Sequence, residues 1–286
     1  MAHDEQLAWE ERAGKPAAAA AIGSGVTAIA SGIYLASAVS DQGEGADGLL
    51  EAAADNGGAY VGSSVVQAVG FLLLIPALMY LYRAVRYRRP ETMSAAAVLL
   101  VLGGLTLAVT IVLRRIELVD IAEGFVPDSG DVGEEAAENE IEDNVSTALQ
   151  GIGLGGALAL AFSVVMIALN AMRAGLLSRF MGILGIFVGA VFVIPLGTPI
   201  LQLFWLGALG ALYLGRWPGG RGPAWQTGEA IPWPGASEQR EEIERRRAER
   251  EGVPDPEPDA DGSSDSEEAE SEPERPASRK RRKKRR

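Results

Sequence analysis

The side chains able to do acid–base, nucleophilic or metal chemistry are few and badly spaced for it. There is no cysteine, which removes thiolate metal sites and a cysteine nucleophile, and the single histidine is His3, in a polar terminal stretch. Neither a serine–histidine–aspartate triad nor a histidine-based metal site can be assembled from this inventory. No catalytic residue, metal ligand or cofactor is therefore expected, and the chain reads as not an enzyme. An ionisable residue within an apolar run is the usual mark of a proton relay or ion-coupled pump. The six apolar runs contain none; their strongest polar candidates are Gln67, Asn170 and Gln202, with Ser63, Ser64, Thr106 and Thr110. Hydrogen bonding between helices is the first use of such groups. The second is lining a path for a neutral or cationic solute, with carbonyls freed around Pro76, or around Pro195 and Pro199.

Two charged stretches complete the inventory. Pro127 to Ser146, PDSGDVGEEAAENEIEDNVS, lacks the alternating ligands, central glycine and closing glutamate of a calcium loop and reads as solvated. The chain ends in eight basic residues, Arg279, Lys280, Arg281, Arg282, Lys283, Lys284, Arg285 and Arg286. At about 1 kcal/mol each beside an anionic leaflet, they are candidate contacts for anionic lipid headgroups. Seventeen acids between Pro218 and Pro276 compete for them. No aromatic residue is interleaved for base stacking, so specific nucleic-acid recognition is not expected.

The elements that must position these groups are apolar blocks long enough to cross hydrocarbon. Six spans are expected, at about 16–39, 60–82, 94–113, 147–172, 180–195 and 200–215. The fold class is thus an all-α integral membrane protein, a bundle of six transmembrane helices with a disordered C-terminal tail. The formal charge of −12 belongs to loops and tails, because the blocks themselves are nearly uncharged. Tyr80 to Pro90, YLYRAVRYRRP, carries four arginines and reads as a short basic inner loop, with Tyr80, Tyr82 and Tyr87 as an aromatic collar. Loops 40–59 and 114–146 are acidic and belong outside by the charge rule.

Both termini then lie in the cytoplasm, and the protein in a bacterial plasma membrane; a genome rich in G and C is suggested by 22 arginines against 4 lysines. Arg114 and Arg115 stand against the rule and are expected at the interface. There Glu117 would pair with Arg114, and Leu118, Ile121 and Phe125 would form an apolar stripe on an emerging helix. Residues 1–15 read as a frayed or surface-lying cytoplasmic segment, with Leu7 and Trp9 touching the interface. Ala36-Ser37-Ala38 has the form of a signal cleavage site, but the apolar region before it is about twenty residues long and reads as a retained span. The pairs Gly151/Gly155 and Gly185/Gly189 have the four-residue spacing that lets helices approach closely.

Residues 217–286 form a charged tail, disordered from Pro254 to Pro276, with Trp225 and Trp233 expected at headgroup level. A six-span body followed by Pro-Ala-Trp and then Gly-Glu-Ala-Ile-Pro-Trp-Pro resembles uncharacterised integral membrane proteins of GC-rich bacteria, a family of unknown function. The resemblance covers residues 16–234 and brings no catalytic residues with it. The expected role is an envelope scaffold or accessory subunit. Its partners would be the lipid bilayer and a protein of unknown identity, and a small transporter or channel is the alternative.

Overall fold

The computed structural model describes residues 3–39, 43–125, 132–193, 199–218 and 220–233, with Glu244, Arg245 and Arg247. It divides into two units, Met1–Trp233 and Pro234–Arg286. The basic run Arg279–Arg286 and the stretch 254–276, expected to be disordered, lie outside the described residues. Nine helices are described in the first unit: α1 His3–Ala38, α2 Gly45–Asp55, α3 Gly57–Arg88, α4 Ala95–Gly124, α5 Val132–Asn144, α6 Thr147–Arg173, α7 Arg179–Val191, α8 Pro199–Tyr213 and α9 Pro223–Thr227. No strand occurs among the described residues.

Two helices, α6 and α7, begin where a serine side chain satisfies a free N–H group of the first turn. Ser146 Oγ accepts from the Leu149 N–H at the start of α6, and Ser178 Oγ accepts from the Met181 N–H at the start of α7. Four helices, α1, α3, α4 and α6, are long and apolar enough to cross a membrane. Among the described residues, the two stretches expected as spans five and six form the 13 residues of α7 and the 15 of α8. At 1.5 Å per residue these are about 20 Å and 22 Å long, less than the ~30 Å of a hydrocarbon core. The two form a hairpin: α7 runs antiparallel to α6, Gly182 meeting Met172 and Gly189 meeting Val165, and α8 runs antiparallel to α1, Leu203 meeting Gly25 and Gly210 meeting Ile22. The hairpin returns the chain to the end from which it left.

The long helices and this hairpin form a closed ring, in which α1 packs on α3, α3 on α4, α4 on α6, α6 on α7, α7 on α8 and α8 on α1. The outward faces are apolar: Val98, Leu102, Leu105, Val109 and Leu113 make one exposed stripe on α4, and Phe180, Ile183 and Phe187 another on α7. Apolar surface on this scale suits lipid rather than water as solvent. Small residues sit inside the ring. A Cβ on Gly103 of α4 would lie 2.6 Å from the Leu160 backbone nitrogen of α6, and one on Gly156 would lie 2.7 Å from Thr106. Gly185 and Gly189 also face neighbours, Trp205 with Ala168 and Val165 respectively. Gly151 and Gly155 do not, since nothing lies within 4 Å of where their side chains would be. Four-residue spacing was present at both pairs, but on α6 the face toward α4 is the one bearing Gly156.

Charge separates the two ends. One, the acidic end, carries α2 and α5, whose buried Leu50, Ala53 and Ala137 pack with Val39, Tyr60, Val119 and Ile121. The loops 40–59 and 114–146 are thus largely helical, and Leu118, Ile121 and Phe125 belong to this packed cap rather than to a free surface stripe. Arg115 stacks on Tyr60, 5.5 Å from the ring centre. Glu117 accepts from the Ser146 backbone N–H at 2.9 Å instead of pairing with Arg114.

The other, basic end departs further from expectation. Tyr80 to Arg88 is helix, so the turn is confined to Arg89–Ser94. In it Glu91 is held below the usual carboxylate range, first by its own backbone N–H and then by Arg89, 2.8 Å away. Tyr80 and Tyr82 are buried rather than forming an interfacial collar. The N-terminal segment is the first third of α1, and Trp217, Ala224, Trp225 and Trp233 pack back against the ring.

Candidate functional site

Two segments that read as polar flanks meet at the basic end and close it. The buried residues of α1 include the series Gln6, Glu10, Gly14, Ala17, Ala21 and Gly25. The steps of three and four are those of one helix face, so the face that packs inside the ring continues into the polar stretch. Pro16 sits within it without ending the helix.

This register brings Glu10 to Arg88 on the last turn of α3. Arg88 Nη1 donates to Glu10 Oε1 at 2.5 Å and Nη2 to Oε2 at 3.0 Å, with both side chains almost wholly buried. The remaining guanidinium donors are also satisfied, by Ala224 O at 2.7 and 3.0 Å and by Ala84 O at 3.0 Å. Gln6 Nε2 donates to Glu10 Oε1 at 2.9 Å. A buried ion pair tolerates desolvation only with such complete bonding.

Trp225, on the short α9, closes the cluster. Its ring stacks on Tyr80 at 5.8 Å and meets Tyr213 edge-on at 6.3 Å. The guanidiniums of Arg88 and Arg221 lie 5.6 and 5.5 Å from its centre. Its Nε1–H donates to Leu176 O at 2.9 Å, so a single residue ties the flank to the α6–α7 turn. Arg221 donates to the carbonyls of Leu212 and Tyr213 at the end of α8, and Tyr80 Oη donates to Glu10 O at 2.9 Å. Two glycines let the chain pass. Gly175 has a φ of +73°, and a Cβ there would fall 1.8 Å from Ile231 O; Gly228 ends α9 at a φ of +70°. The expectation that Trp225 rests among headgroups is overturned, because its indole N–H and both faces are used inside the protein.

The expected polar positions do not converge. Gly103 faces Gly156 and Leu160 of α6 while Gly104 faces Phe71 and Ile75 of α3, which puts those turns at one level. Counting 1.5 Å per residue from there, Gln67 lies about 9 Å toward the acidic end and Asn170 about 18 Å toward the basic end. Asn170 Nδ2 bonds back to Met166 O of its own helix. Gln202 adjoins Leu203, which packs on Gly25, and Ser24 Oγ donates to Gly70 O; Gln202 and half-buried Gln67 therefore flank α1 at similar depth. Ser63, Ser64 and Thr110 each donate to a carbonyl of their own helix. Among the described residues no three histidine, aspartate or glutamate side chains are grouped to hold a metal ion. The candidate lipid contacts Arg279 to Arg286 lie outside the described residues.

From the sequence Glu10 was not singled out, Arg88 was read only as one of four arginines in a basic inner loop, and Trp225 was placed at headgroup level. The signal for Glu10 was its place on the 3.6-residue continuation of the α1 face, hidden by the surrounding charges. Nothing local marks Trp225 as buried.

A family model described as a domain of unknown function, DUF4386, matches residues 17–217. No curated protein and no solved structure matches the chain. Glu10, Arg221 and Trp225 fall outside the matched range, so the closing cluster joins the two flanks to Arg88 within it.

Proposed function

The chain belongs to the DUF4386 family of unknown function, and from that premise we propose that it is a non-enzymatic membrane scaffold or accessory subunit. In this reading the helical ring holds a charged tail at the inner surface of a bacterial plasma membrane. The observation that carries it is the closure of the basic end. Residues 220–233 are bound through Trp225, Arg88 and Arg221, so this segment is held against the ring. The arginines of the α3–α4 and α6–α7 turns and of the segment after α8 all lie at this end, which suits a cytoplasmic position by the positive-inside rule. The acidic helices α2 and α5 then face outward. The eight terminal basic residues supply charge for an anionic leaflet or an acidic protein surface.

The test is complementation of a deletion strain. A variant ending at Trp233 is expected to fail while Gln67→Leu with Gln202→Leu restores the wild-type phenotype. The reverse pattern would move function into the ring and favour a transporter or channel.

A further inference from the structure

Arg83, Arg86, Arg88 and Arg89 fall within seven residues, and the fold sorts them into two classes. Arg88 is neutralised by Glu10 and Arg89 by Glu91. Arg83 and Arg86 are exposed, and neither is paired with a carboxylate among the described residues. Arg83 lies over the Trp9 ring at 5.7 Å, and Arg86 Nη1 donates to the Tyr82 hydroxyl at 3.3 Å. Together with Gln6, Trp9, Met79, Tyr82 and Tyr87 they line a groove of about 680 Å³ whose wall contains no carboxylate.

The outward face of α3 leads into this groove. Val65, Val69, Leu72, Pro76 and Met79 are exposed or half-buried, and Arg83 and Arg86 continue the same series in steps of four and three. One helix face is thus apolar for about 21 Å and then cationic. That is the polarity of a phospholipid laid along it, chain against the valines and leucine, phosphate at the arginines. Half-buried Trp9 and Tyr87 at the changeover are of the types that settle at headgroup depth, while Tyr82 is buried.

We propose that this groove binds one anionic phospholipid, its phosphodiester held between Arg83 and Arg86 and an acyl chain along Leu72, Pro76 and Met79. Guanidinium forks match phosphate oxygens, and two unneutralised cations on one wall select a net negative headgroup over one that brings its own ammonium. The site belongs to the ring and does not depend on what the tail does.

Native mass spectrometry of the full-length protein in detergent, titrated with phosphatidylglycerol or phosphatidylcholine, tests it. Every form carries the same basic terminus, so its contribution cancels between variants. Arg83→Gln with Arg86→Gln is expected to weaken phosphatidylglycerol binding about thirty-fold, at about a factor of five per arginine. Phosphatidylcholine binding and the unfolding temperature should be unchanged, since both side chains are exposed. Arg114→Gln with Arg115→Gln, at the other end, should leave phosphatidylglycerol affinity as it was. Equal phosphatidylglycerol affinity in the Arg83/Arg86 variant would overturn the proposal. So would an equal loss of phosphatidylcholine, or displacement of the lipid by inorganic phosphate alone.

Discussion

Replacing Arg88 by methionine is the sharpest test of how the basic end is held. The substitution keeps most of the side-chain volume and removes a guanidinium that makes two bonds to Glu10, two to Ala224 O and one to Ala84 O. Glu10 is then left buried with only Gln6 as a donor. Stranding one member of a buried ion pair costs about 3–5 kcal/mol. At roughly 2–4 °C per kcal/mol for a chain of this size, the unfolding midpoint should fall by roughly 6–20 °C. The assay is thermal unfolding of the full chain in detergent followed by tryptophan fluorescence, which Trp225 makes sensitive to this end. Glu10→Gln combined with Arg88→Met should be less damaging than Arg88→Met alone, because the stranded charge is gone. If Arg88→Met costs less than about 1 kcal/mol, the pair behaves as a surface ion pair and the reasoning fails. A double variant no better than the single would show that the lost bonds to Ala224 and Ala84, not the stranded charge, set the cost.

Two substitutions test the glycines. Gly103→Val should part α4 from α6 and cost about 1–3 kcal/mol, because its Cβ would lie 2.6 Å from the Leu160 nitrogen, whereas Gly151→Val meets nothing within 4 Å and should stay within about 1 kcal/mol of wild type; midpoints in detergent decide between them. Gly175→Ala combines a φ of +73° with a Cβ 1.8 Å from Ile231 O, so the 223–233 segment should detach, seen as faster proteolysis before Trp233 and a red-shifted tryptophan emission, while the ring stays folded.

Much of the ring was legible because hydropathy and length are local properties. The runs that became α3, α4 and α6 needed only enough consecutive apolar residues to form helices whose natural solvent is lipid. The same property misled at the flanks. Gln6 and Glu10 are polar, so the stretch around them read as a terminus, yet a helix already nucleated by the first apolar block extends through it at little cost. Their burial depends on Arg88, seventy-eight residues away in the chain.

Hydropathy also overstated the hairpin. Residues 180–195 and 200–215 are apolar enough for spans, but their described helices are too short to cross alone. Apolar composition is equally served by packing within the ring, as Trp205 does with its Nε1–H on Met181 O.

The candidate site was the least legible part, and for a geometric reason. Sequence spacing says which residues share a helix face; it does not say which way that face is turned. Gly151 with Gly155 and Gly185 with Gly189 have identical spacing, and only the rotation of each helix against its neighbour separates the exposed pair from the packed one. The polar residues Gln67 and Asn170 likewise owe their separation to the staggering of α3 and α6.

By itself, then, the sequence determined that the chain makes membrane-length helices with basic and acidic connections at opposite ends, since those follow from one-dimensional runs of hydropathy and charge. Only the tertiary structure decided that Glu10, Arg88, Tyr80, Tyr213 and Trp225 form one closed cluster while Arg83 and Arg86 stay open. That division rests on helix rotation and on pairing across distant parts of the chain, which no local pattern contains.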